Sequence, residues 1–161
     1  MAADKSPFSG KLRIRVCGLL VEANSILLTQ IHSPITGALI WIPPGGGLEY
    51  GETMVACLKR EFMEETDLQI EVGNLLHINE LIDLPFHALE YYFEVKRISG
   101  KPILGEDPEL QDNQQLLQDL RWINLEKLSE IQFVPVPAGL LEKLQDWRNR
   151  FSYPVLSESK G

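Results

Sequence analysis

Glu61, Glu64 and Glu65 crowd together in the run "KREFMEETDL" (residues 59–68). On a helix, positions i, i+3 and i+4 share one side, so the spacing predicts three carboxylates emerging together. Like charges at that spacing destabilise an isolated helix, and a plain surface helix would interleave Lys or Arg. Carboxylates are hard oxygen ligands, so the compensator that fits them is a divalent cation, Mg²⁺ or Mn²⁺, in one copy or more.

The residues just upstream are suited to the same task. Residues 46–68, "GGLEYGETMVACLKREFMEETDL", open with glycines that let the chain turn tightly and let backbone approach an ion or phosphate closely. Glu52 and Thr53 fall at the start of the expected helix, where an acid interacts favourably with the helix dipole and can cap exposed amides. From residue 53 to about 66 there is no Pro or Gly, and Val55, Leu58 and Phe62 form an apolar stripe at helical spacing. One edge of the helix can therefore pack while the other faces a cleft. The competing reading is a solvated acidic face. It weakens once the glycines, Glu52 and Arg60 stand in register with the three glutamates.

Several strands must position this helix. Residues 11–21 read as a strand, followed by a turn through "EANS" and a second strand at 26–31. A loop, "SPITG", leads to a short strand at 38–42 that runs into "PPGGG". Strands are expected at 69–80 and 87–98, then a turn-rich loop at 99–113 carrying Glu106, Asp107, Glu109 and Asp112. A last strand at 120–125 and an amphipathic helix at 138–151 complete the pattern. Strands around two helices predict an α/β fold, a mixed sheet covered on both faces.

At 161 residues, without repeats, low-complexity tracts or linkers, the chain suits one domain, 1–161, with a core over about 11–150 between short flexible tails. Its 15 Lys and Arg against 23 Asp and Glu give a net charge of −8, which argues against strong nucleic-acid binding. Phosphorylated substrates stay compatible with that charge if metal ions bridge the two negative partners. Cys17 and Cys57 have no paired spacing and sit among apolar neighbours, so both read as buried thiols. His32, His77 and His87 are scattered; His32 and His87 flank strands and are candidates for a cleft border. Trp41, Phe86, Tyr91, Tyr92 and Trp122 include candidate stacking residues, although most are expected in the core, and Tyr91 and Tyr92 point to opposite faces. The N-terminus lacks the apolar core of a secretory signal and no segment approaches a membrane span, so the expected location is cytoplasmic.

The run from Gly46 to Leu68 resembles the box of the Nudix hydrolases (MutT-like): a glycine, five residues, a glutamate, seven residues, then R-E-U-x-E-E-x-G-U, where U is apolar. Gly46, Glu52, Arg60-Glu61, Phe62, Glu64-Glu65 and Leu68 fill those places, and "WIPPGGG" is similar to the family's approach to the box. Asp67 stands where the box has glycine. That position is expected to end the helix in a left-handed conformation, which Asp tolerates better than most residues.

The resemblance implies the Nudix fold, an α/β/α sandwich with a mixed sheet. It also implies metal-dependent hydrolysis of a small nucleoside diphosphate linked to some group X, giving a nucleoside monophosphate and phosphorylated X or pyrophosphate. Carried onto this chain, Glu61, Glu64 and Glu65 would hold Mg²⁺ or Mn²⁺ with the Gly46 carbonyl. Glu61 or Glu64 would instead orient or deprotonate the attacking water, and Glu52 would pair with Arg60. A further acid outside the box is unassigned: Gln114 and Gln115 stand where a glutamate is frequent, and the loop acids are substitutes. Two other readings use the same fold, a non-catalytic nucleotide-sensing or regulatory domain and pyrophosphate removal from RNA 5′ ends. The box carboxylates are all present, against the first, and no basic stripe is evident, against the second. Substrate-binding residues are not legible, and a homodimer is compatible with the family.

Overall fold

The computed structural model describes residues 6–106 and 115–131. Strand β1 (Leu12–Glu22) is the strand on which the rest is assembled. Along Leu12–Leu20 it pairs in parallel with β6 (Phe86–Ser99), and on its other side Arg15–Cys17 pair antiparallel with β4 (Gly45–Gly47). Its far end turns through Ala23 and Asn24, both at positive φ, into β2 (Ser25–His32). Strand β2 pairs antiparallel with β3 (Leu39–Ile42) and β7 (Leu117–Asn124), and β5 (Gln69–Asp83) closes the other edge against β6. The order β3-β2-β1-β6-β5, with one parallel pair among antiparallel ones, is the expected mixed sheet.

Alternation along β1 divides the core. Val16 and Leu20 face helix α1 (Met54–Thr66) and pack with Leu58, Phe62, Phe93 and Val95. Cys17 and Leu19 face the opposite side with Ile26, Leu28, Leu76 and Tyr92, against Leu125 and Leu128 of a 3-10 turn at Leu125–Glu130. Gly18 lets α1 come close, since a Cβ there would collide with the Phe62 ring.

Both ends of α1 are satisfied. Thr53 Oγ1 accepts from the Ala56 N–H at 3.1 Å, so Thr53 caps the helix, and Glu52 turns away to other partners. Asp67 adopts the left-handed conformation, φ 58 and ψ 26, and its N–H donates to Met63 O. The chain returning from β6 then donates Ile103 N–H to Thr66 O and Gly105 N–H to Glu65 O, each at 2.9 Å. Carbonyls that a helix terminus leaves without partners are thus taken by the start of the acidic loop.

Three differences from the expected elements exceed a single residue, and the remaining ends among the described residues shift by at most one. The glycines of "PPGGG", read as a loop, form β4; β5 runs on to Asp83; β7 begins at Leu117 rather than 120. The helix at 138–151, Asp107, Glu109, Asp112 and Gln114 lie outside the described residues. Among the described residues no helix is long and apolar enough to cross a membrane.

Candidate active site

Strand β4 and helix α1 bring the box together. Gly46 lies flat against Glu61, and any Cβ at residue 46 would overlap that carboxylate, which is only 9% exposed. The Gly45 N–H donates to Glu65 Oε2 at 3.0 Å. Arg60 is the hub of the cluster. Its Nε and Nη2 donate to the two oxygens of Glu52 at 2.8 and 3.0 Å, and Nη1 donates to Glu61 at 2.8 Å and Glu64 at 3.4 Å. Nη2 also reaches Gly47 O at 3.3 Å, and the Glu49 carboxylate lies 4.0 Å away. Hydrogen bonds from Arg60 hold the Glu52 carboxyl below its ordinary range, and the same bonds raise the arginine.

Four carboxylates, those of Glu49, Glu52, Glu61 and Glu64, therefore share one guanidinium, with Glu65 of the same helix turned to the glycine strand. One positive charge does not neutralise four. The donors are all oxygen, the combination that suits a hard cation, and the Gly46–Glu61 contact forms a cradle at its side. Among the described residues no three acidic, His or Cys side chains stand close enough to form a ready-made cage, and Arg60 lies between Glu61 and Glu64 with a hydrogen bond to each.

The cluster opens into a cleft on the odd-numbered face of β1. A small cavity of about 90 Å³ is bounded by Gly45–Gly47, Glu61 and Glu65. It shares Phe8, Arg13, Arg15 and Ile31 with a larger, mostly apolar cavity of about 430 Å³. Arg13 lies over the Phe8 ring at 3.9 Å, and Arg15 pairs with Glu90 at 3.2 Å. Register explains the second contact: Arg15, Glu90 and Asn79 are direct neighbours across β1, β6 and β5. Glu90 also accepts from Asn79 Nδ2 at 3.0 Å and Tyr92 OH at 3.2 Å.

Phe8, Arg13, Arg15, Asn79 and Glu90 were not singled out by the sequence. The signal available was the alternation in "KLRIRV", which puts both arginines on one face. The pairing with residues far along the chain carried none. Of the aromatic and histidine candidates, Phe86, His87 and Tyr92 line the larger cavity, while Tyr91 packs on the α1 side. His87 Nε2 lies 3.0 Å from Glu80, and His32 Nδ1 lies 3.3 Å from Gly37 O. His77 sits by Tyr92, ring centroids 6.2 Å apart. Trp41 and Trp122 border a separate open groove. Burial pushes the Cys17 and Cys57 thiols up to about 12, so neither is a ready nucleophile.

The NUDIX domain model matches residues 11–144. An ADP-ribose pyrophosphatase of Methanocaldococcus jannaschii is 30% identical over 128 residues, covering 69% of this chain and 75% of that protein. An RNA pyrophosphohydrolase of Bartonella clarridgeiae is 24% identical over 140 residues, covering 79% and 81%. The structure of a NUDIX hydrolase from Nitrosomonas europaea superposes with a TM-score of 0.71 at 20% identity, over 94% of this chain and 99% of that one.

Proposed function

The chain belongs to the NUDIX family of hydrolases, and on that premise we propose that it cleaves a diphosphate bond in a nucleoside diphosphate linked to a group X, with Mg²⁺ or Mn²⁺. The observation that carries this reading is the gathering of four carboxylates about Arg60 at the mouth of a cleft that continues past Arg13 and Arg15. Glu61, Glu64, Glu65 and the Gly46 carbonyl would hold the cation, which when bound neutralises diphosphate charge and acidifies the attacking water. One of Glu61 and Glu64 would serve instead as the base, taking the proton from that water as its oxygen bonds to phosphorus. The bridging P–O bond breaks, and the leaving oxygen departs on phosphorylated X or pyrophosphate. Glu52 holds Arg60 through two parallel hydrogen bonds, which fixes the base of the carboxylate cluster. Arg13 brings positive charge beside the diphosphate, while the charge of Arg15 is balanced by Glu90.

The test is monophosphate or phosphate release from a panel of nucleotide-type diphosphates with Mg²⁺ and Mn²⁺, using wild type, Glu64→Gln and Glu65→Gln. Metal-dependent turnover lost in both variants supports the reading. Wild type that binds nucleotides saturably but turns none over refutes it in favour of a sensing domain.

A further inference from the structure

The larger cavity has apolar walls from Ile31, Ile42 and Ala88 and aromatic ones from Phe8, Phe86 and Tyr92. Such a lining suits a flat ring rather than a hydroxyl-rich sugar. Its polar groups are mostly committed already. Ser33 Oγ accepts from the Ile35 and Thr36 amides, both at 3.2 Å. Glu90, 7% exposed, accepts from Arg15, Asn79 and Tyr92, three donors on two oxygens. Asn79 is different. A carboxylate paired with an arginine can only accept, so the Asn79 group turned towards Glu90 must be its NH₂. That contact fixes the amide's orientation and leaves Oδ1 as the polar atom Asn79 has to offer; among the described residues it accepts from none.

We propose that Asn79 is a specificity-determining residue, whose Oδ1, oriented by Glu90, accepts an N–H from a nucleobase seated in this cavity. The inference rests on the nucleotide reading above and deepens it: the nucleoside base occupies the apolar cavity and its phosphates run past Arg13 and Arg15 to the box. Glu90 is a positioning residue. Asn79 is half-buried, and a ring seated in the cavity would desolvate its Oδ1; a ligand lacking the N–H would then leave that acceptor unpaired, so the contact discriminates strongly.

The experiment is equilibrium binding of nucleoside 5′-monophosphates by calorimetry, which needs no turnover. AMP and IMP are compared with purine riboside monophosphate, which has no N–H on its six-membered ring, and UMP with its N3-methyl derivative. In wild type, at least one donor-bearing nucleotide binds about tenfold or more tightly than its donor-less partner. Asn79→Leu closes that gap by weakening the donor-bearing ligand while leaving the other within about threefold. Glu90→Gln narrows the gap, since the Asn79 amide can then flip.

Absence of a gap in both wild-type pairs overturns the proposal with no variant needed, as does equal weakening of both ligands in Asn79→Leu that melts like wild type. If Asn79→Leu fails to fold, Asn79→Ser makes the same comparison. A gap without any hydrolysis would leave base reading intact and refute the hydrolase reading; hydrolysis without a gap would do the reverse.

Discussion

Replacing Gly46 by alanine isolates what the glycine strand does for the chemistry. The added Cβ would overlap the Glu61 carboxyl group, and the nearest atoms belong to that side chain's far end rather than to backbone. Residue 46 does not have a positive φ, so its backbone accepts alanine. To recover a contact of about 3.5 Å, the carboxylate must retreat by about 1 Å. A displacement of that size in a reacting group costs on the order of 10²-fold in rate. Gly45 makes the opposite case. It has φ 154, and a Cβ there would run into the Val16 carbonyl, which cannot rotate away. Gly46→Ala is therefore expected to melt within a few degrees of wild type and to lose about 10²-fold in kcat/KM. Gly45→Ala should lose stability first. Paired melting curves and steady-state kinetics check this. Gly46→Ala retaining activity within about threefold, or melting as poorly as Gly45→Ala, would refute the claim that Gly46 exists to seat Glu61.

Arg60→Lys keeps the charge but loses the forked contact with Glu52, and is expected to lower both melting temperature and activity, with roughly tenfold less turnover; unchanged kinetics would show that Arg60 does not hold the cluster. The Glu52 carboxyl sits below its ordinary value of 4.5, so its contribution is present above that value and is lost as pH falls through the lower folded one. Urea midpoints from pH 7 to pH 3 should accordingly fall less steeply in Glu52→Gln than in wild type. Asp67→Gly removes a left-handed non-glycine residue and is expected to stabilise by about 0.5–1 kcal/mol with activity unchanged, read by denaturant titration. With both thiols raised to about 12, Cys17 and Cys57 should resist a thiol reagent at pH 8 until the chain is unfolded.

Helix α1 was legible because its signals are local. Leu58 and Phe62 of the expected stripe are buried and Asp67 makes the left-handed stop, while Val55 stays outside the core and the cap comes from Thr53 rather than from the acid Glu52. Strand β4 was invisible for the converse reason: glycines carry no strand propensity, and only the register of Arg15–Cys17 makes them a strand. The cluster around Arg60 could be read because its members sit on one helix and the turn before it. The cleft could not, because Arg15 and Glu90 are 75 residues apart and meet through a parallel pairing that leaves no local trace. Phe8 was passed over because it precedes the first strand, although Gly10 N–H ties that segment to Pro85 O at 2.8 Å.

That long parallel pairing also orders events during synthesis. Strand β1 leaves the ribosome early, followed by the glycine strand and the acidic helix, but the strand that completes β1 emerges some 75 residues later. Until then Phe62 has neither Phe93 nor Val95 to pack on, and a helix of 13 residues is marginal alone. Closing so large a loop makes the nucleus slow to form. The nascent chain thus carries the helix of the three clustered glutamates unfolded until β6 arrives. Pulse-labelled hydrogen exchange should find the amides of α1 protected together with those of β6, not before them.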